Sequence, residues 1–130
     1  MSRLGGMINM QKERNSTGFL LKQRAFLKLY MITMTEQKRL YGEQLLDLMR
    51  SEFKAIGYKP SRSEIYRALH DLMDDNILKR EKVKKEGAKL QEIILYKIAD
   101  ADAAALYKIQ LKAELDRSQL IIKKALKDNF

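Results

Sequence analysis

The stretch Gly57-Tyr58-Lys59-Pro60-Ser61-Arg62-Ser63-Glu64-Ile65-Tyr66-Arg67-Ala68-Leu69-His70-Asp71-Leu72-Met73-Asp74 decides the fold. Ser61 and Glu64 have the spacing of a capping box, in which the Ser61 hydroxyl meets the Glu64 amide and the Glu64 carboxylate reaches back. A helix is expected to start there, with Ile65, Leu69, Leu72 and Met73 as its inward stripe. Upstream, Gly42 opens another periodic stretch with Leu45, Leu46, Met49, Phe53 and Ile56 on one side, and Gly57 is placed to end it in a positive-φ conformation. The four residues between the two helices are the short turn of a helix-turn-helix.

Working outward, Asn15, Ser16 and Thr17 offer capping oxygens before a first helix whose Phe19, Phe26, Leu27, Tyr30 and Met31 recur at helical spacing. The polar connection 35–41 has room for a short strand. Beyond the third helix, Ile77 to Lys84 and Leu90 to Ile98 flank a loop containing Gly87 and read as a hairpin. Three helices followed by a hairpin is the order of a winged helix. From Asp100 to Phe130 there is neither glycine nor proline, which predicts one long final helix capped by Asp100 or Asp102. The expected class is α+β, mainly α: an extension over 1–15, a winged-helix core over 16–99 and a terminal helix over 100–130, together one domain. On the last helix, Tyr107, Leu111, Leu115, Ser118, Ile122 and Ala125 make one apolar seam, with Leu106, Ile109, Leu120, Ile121 and Leu126 widening it. One small core cannot cover so much, so this seam is the expected contact with a second copy of the chain.

Charge then points to the partner. The net charge is +9, and it is all contained in two segments: residues 1–28 carry +5 and residues 79–89 carry +4. A polyanion is implied, and the helix-turn-helix makes that polyanion duplex DNA. Recognition helices present long donors from their first turns to base edges, which selects Arg62, Ser63, Tyr66 and Arg67, with Lys59 in the turn before them. The wing lysines Lys79, Lys82, Lys84, Lys85 and Lys89 are expected on backbone or minor groove, with the basic N-terminal segment as an arm alongside.

Other chemistries find little support. There are no cysteines and a single histidine, His70, so disulfides, cysteine-type zinc sites and nucleophilic thiols are excluded, and no metal or other cofactor is expected. Asp74-Asp75-Asn76 reads as a turn. No enzymatic site is expected. The most apolar run, Phe19 to Met34, is broken by Lys22, Arg24 and Lys28 and is not a membrane span, nor do the first residues read as a signal peptide. A cytoplasmic, nucleoid-associated protein is the expectation.

The string Ser16-Thr17-Gly18-Phe19-Leu20, the run Lys22 to Gln37, the wing residues Val83 to Glu92 and the end Lys127-Asp128-Asn129-Phe130 resemble the winged-helix family of bacterial replication terminators over about residues 10–130. That resemblance implies a homodimer joined through the C-terminal helices, two dimers on an inverted-repeat terminator site, and a block to the replicative helicase from one side. It places the helix around Arg62 and Arg67 in the major groove and the wing Lys82–Lys89 along the minor groove. Lys22 and Arg24 would lie on the backbone, and the loop 35–41, with Lys38 and Tyr41, would meet the helicase. Arg62 stands where the family has a histidine, Lys38 where it has an acidic residue, and Ser118 where it has a cysteine. A transcriptional repressor shares every feature up to the helicase and is the competing expectation.

Overall fold

In the computed structural model, which describes residues 18–37, 40–84 and 92–130, helix α1 runs from Gln23 to Gln37. It begins several residues later than its capping pattern predicts; Asn15, Ser16 and Thr17 lie outside the described residues. The reason is tertiary. The Leu21 amide donates to Ser118 Oγ at 2.8 Å, and Arg117 Nε donates to the Phe19 carbonyl at 3.4 Å, so these peptide groups serve the far end of the chain instead of a helix turn. Phe19, expected on the apolar face of α1, is accordingly exposed. Within α1, Leu27, Met31 and Ile32 are completely covered, while Phe26 and Tyr30 form an aromatic cluster with Phe53 and Tyr58.

Strand β1 is only Leu40–Tyr41, and helix α2, Glu43–Ser51, starts from Gly42 with φ of 42°. The sequence pattern predicts α2 running on to Gly57. Instead the α-helix stops at Ser51, and Lys54–Ile56 form a 3-10 turn closed by Gly57 at φ 90°. Phe53 causes the break: its carbonyl accepts both the Ile56 and Tyr58 amides, and its ring packs 5.0 Å from Phe26 and 4.7 Å from Tyr30. The tighter turn buries Phe53 and throws Ile56 outward, so the expected inward position of Ile56 is corrected.

Helix α3 spans Arg62–Asp74. Ser61 Oγ accepts the Glu64 amide at 3.2 Å as the capping pattern requires. The reciprocal half of the box is replaced: the Glu64 carboxylate takes Arg67 Nη1 at 3.1 Å. Ile65, Ala68, Leu69 and Leu72 fill the interior, while Met73 is only partly covered. Each fully buried leucine contributes about 1.5–3 kcal/mol, so this stripe holds α3 rigidly against the core.

Strands β2 (Leu78–Lys84) and β3 (Glu92–Ile98) pair antiparallel from Leu78↔Ile98 to Lys84↔Glu92. The hairpin is as expected, and its loop, with Gly87, lies outside the described residues. β3 is the central strand because β1 pairs with its other edge. Helix α4, Ala101–Asn129, is capped by Asp100, whose Oδ1 accepts the Ala103 amide at 3.0 Å. Its first half enters the same core through Ala104, Tyr107 and Leu111. Three helices, a three-stranded antiparallel sheet and a long last helix make a winged-helix architecture, α+β and mainly α. No helix among the described residues is long and apolar enough to cross a membrane.

Candidate nucleic-acid interface

The core sets the orientation of α3: with Ile65, Leu69 and Leu72 inward, Arg62, Ser63, Arg67 and His70 are left exposed and Tyr66 half-exposed. Arg62 and Arg67 diverge, as five residues at 100° each require. Arg67 turns along the helix to Glu64, whereas Arg62 leans toward α2, where its Nη2 pairs with Glu43 Oε1. Tyr66 completes that group. Its hydroxyl donates to Glu43 Oε2 at 3.2 Å, and the Arg62 guanidinium lies 5.4 Å from the centre of its ring. The hydrogen bond to Glu43, and then its charge, raise the already high pKa of Arg62.

The wing adjoins this group through β3. Burial pushes the Tyr96 phenol above its ordinary range, reinforced by Tyr66 and opposed by Arg80. Along β2 the side chains alternate, so Arg80, Lys82 and Lys84 continue outward on the face that begins with buried Leu78. Lys79 lies on the opposite face together with Glu81, which is paired to Lys97 at 3.4 Å. Of the wing lysines, Lys79 thus lies on the other face from Lys82 and Lys84, and Arg80 shares the face of those two. Lys85 and Lys89 lie outside the described residues.

The arm is less free than its charge suggests. Lys22 and Lys59 are exposed, but Arg24 pairs with Asp71 of α3 at 3.5 Å, and Lys28 with Asp75 at 3.8 Å. These partly exposed pairs contribute at most about 1 kcal/mol each, so they organise the arm more than they stabilise it. Tyr41, on β1, is half-buried and its amide donates to Gln44 Oε1 at 2.9 Å; Lys38 is outside the described residues.

The expected seam on α4 is divided by the structure. Tyr107, Leu111 and Ser118 are buried against the chain's own α1 side, Tyr107 through a hydroxyl that donates to the Ala25 carbonyl at 3.3 Å. Leu115 is half-covered, whereas Ile122 and Ala125 are exposed, as are Leu106, Ile109, Leu120, Leu126 and Phe130. Among the described residues no group of three or more histidine, cysteine or carboxylate side chains is placed to hold a metal ion.

Two residues of this surface escaped the sequence reading. Arg80 could have been found, because a period of two places it with Lys82 and Lys84. Glu43 could not: an acidic residue in the first turn of a helix is ordinary, and no pattern announces partners 19 and 23 positions away.

Comparison with known structures supports the fold alone. The chain is similar to a candidate transcriptional regulator of Thermoplasma acidophilum, with TM-score 0.61, 21% identity, and 80% of this chain and 93% of that one covered. It is also similar to a transcriptional regulator of Clostridium thermocellum, with TM-score 0.55, 15% identity and coverages of 82% and 94%. Sequence comparison reaches further. The chain is 68% identical over 120 residues to the replication termination proteins of Bacillus subtilis and Bacillus spizizenii, covering 92% of this chain and 98% of each relative. The family model described as replication terminator protein matches residues 18–130, so the chain belongs to that family.

Proposed function

We propose that the chain is a homodimeric replication terminator that binds an inverted-repeat site in duplex DNA and stops the replication fork arriving from one side. The observation carrying this reading is the 68% identity to replication termination proteins along 98% of their length. The surface suits the role. Arg62, Ser63, Tyr66 and Arg67 would meet base edges in the major groove, and Arg80, Lys82 and Lys84 the adjoining phosphates or minor groove, which gives both readout and salt-sensitive affinity. Lys22, Lys59, Lys85 and Lys89 would extend the backbone contact. Ile122 and Ala125, with Leu120 and Leu126 beside them, would pair with the same helix of a second copy, and two dimers would fill one site. Halting the fork means blocking the replicative helicase; the segment with Lys38 and Tyr41 is the surface we assign to meeting it.

The test is a fork-arrest assay on a template carrying the site in either orientation. Forks are expected to stop in one orientation and pass in the other. Passage in both would leave a DNA-binding repressor as the better reading, since a repressor needs the same interface and no encounter with a helicase.

A further inference from the structure

The group formed by Glu43, Arg62 and Tyr66 sits at the leading end of α3, yet its central residue is acidic and belongs to α2. A carboxylate on a face that must approach phosphates is unfavourable unless it does something there. Stabilising α2 does not explain it, because both oxygens are used across the helix-turn-helix: Oε1 by Arg62 Nη2 and Oε2 by the Tyr66 hydroxyl. The same Arg62 nitrogen lies 3.5 Å from the Tyr66 hydroxyl, so Arg62 is held through Nη2 alone. Its Nη1 and Nε have no partner among the described residues and remain open to an acceptor.

We propose that Glu43 is a selectivity residue that holds Arg62 for base reading and withholds its charge from phosphate. This rests on the DNA-binding reading of α3. The physical basis is that phosphate attracts Arg62 by net charge, whereas guanine O6 and N7 attract it by directed hydrogen bonds. Pairing with Glu43 cancels most of the first attraction and leaves the remaining donors for the second. A single hydrogen bond from a charged donor favours its acceptor about ten- to hundredfold, and an exposed ion pair changes an equilibrium by up to about fivefold. Glu43 is therefore strong enough to suppress random binding and too weak to block the right base. Tyr66 keeps the carboxylate in place.

The experiment uses the full chain and two probes: a duplex selected by the chain itself from a random-sequence pool, and the same base pairs scrambled. Affinities for both are measured across a salt series for the parent, Glu43→Gln, Arg62→Ala and the double variant, after thermal melts show that each folds. Glu43→Gln is expected to raise affinity for the scrambled duplex about two- to fivefold and to steepen its salt dependence by about one unit. Affinity for the selected duplex stays level or falls. Both effects are expected to vanish in the Arg62→Ala background. Equal gains with and without Arg62 would reduce Glu43 to simple repulsion of DNA and overturn the proposal, as would unchanged affinities on both probes. A parent chain that binds no duplex would remove the DNA reading and the proposal with it, whereas duplex binding indifferent to Glu43→Gln would remove the proposal alone.

Discussion

The two halves of α4 have similar composition and opposite surroundings. From Ala104 to Ser118 the helix lends Ala104, Tyr107, Leu111 and Ser118 to the chain's own interior. From Leu120 onward the residues are almost all exposed, including Leu120, Ile122 and Leu126. Periodicity is continuous across the boundary, and what changes is the neighbour. α1 and the segment before it run alongside the first half and end at the contact between Leu21 and Ser118. An apolar stripe therefore records that a face is covered, but not which chain covers it. In the proposed dimer the first half belongs to the fold of each subunit and the second half to their association.

This division is open to direct attack. Leu111→Ala should be the most damaging change, costing about 2–5 kcal/mol because it opens a cavity where the parent side chain is fully covered. Urea unfolding measured at a dilution that leaves the chain as protomers would show it, and a loss below about 1 kcal/mol would mean that this half is not core. Ser118→Ala should cost about 1–3 kcal/mol by leaving the Leu21 amide without its acceptor. It should also speed proteolysis near Phe19 and Leu21. Tyr107→Phe removes only the 3.3 Å bond to the Ala25 carbonyl, and about 1 kcal/mol is expected from the same titration. Ile122→Asp should move protomer stability by less than about 0.5 kcal/mol, yet light scattering should show dimer mass falling to protomer mass. An unchanged mass would refute the assignment of the second half to association.

Much of the fold was legible because its determinants are local. Ser61 before Glu64, the run without glycine or proline after Asp100, and the two strand patterns around Gly87 each act within a few residues. The departures come from contacts between distant residues. Leu21 delays α1 by bonding Ser118, and Phe53 ends α2 by joining Phe26 and Tyr30; the one local exception is Arg67, which diverts Glu64 from its cap across a single turn. The candidate site divides in the same way. Arg62, Ser63, Tyr66 and Arg67 are grouped by helical spacing and are found exposed or half-exposed on α3, while the placing of Arg80 beside Lys82 and Lys84, with Lys79 on the other face, follows from strand alternation. Glu43, and the pairing of Arg24 with Asp71, arise only when α1, α2 and α3 are packed together.

The length of α4 has one more consequence, which concerns distance along DNA. A straight helix of 29 residues is about 43 Å long. When two such helices lie against each other, the extent of their overlap sets how far apart the two α3 helices stand. Sliding the pair by one helical turn shifts that separation by about 5.4 Å, or roughly one and a half base-pair steps. In the proposed pairing the apolar side chains of the second half would permit only discrete registers, since each would have to find its gap. In the proposed dimer the spacing between half-sites would thus be a length measured by the protein in steps that do not match the steps of the DNA, and only a register in which the two scales coincide would let both α3 helices reach bases together.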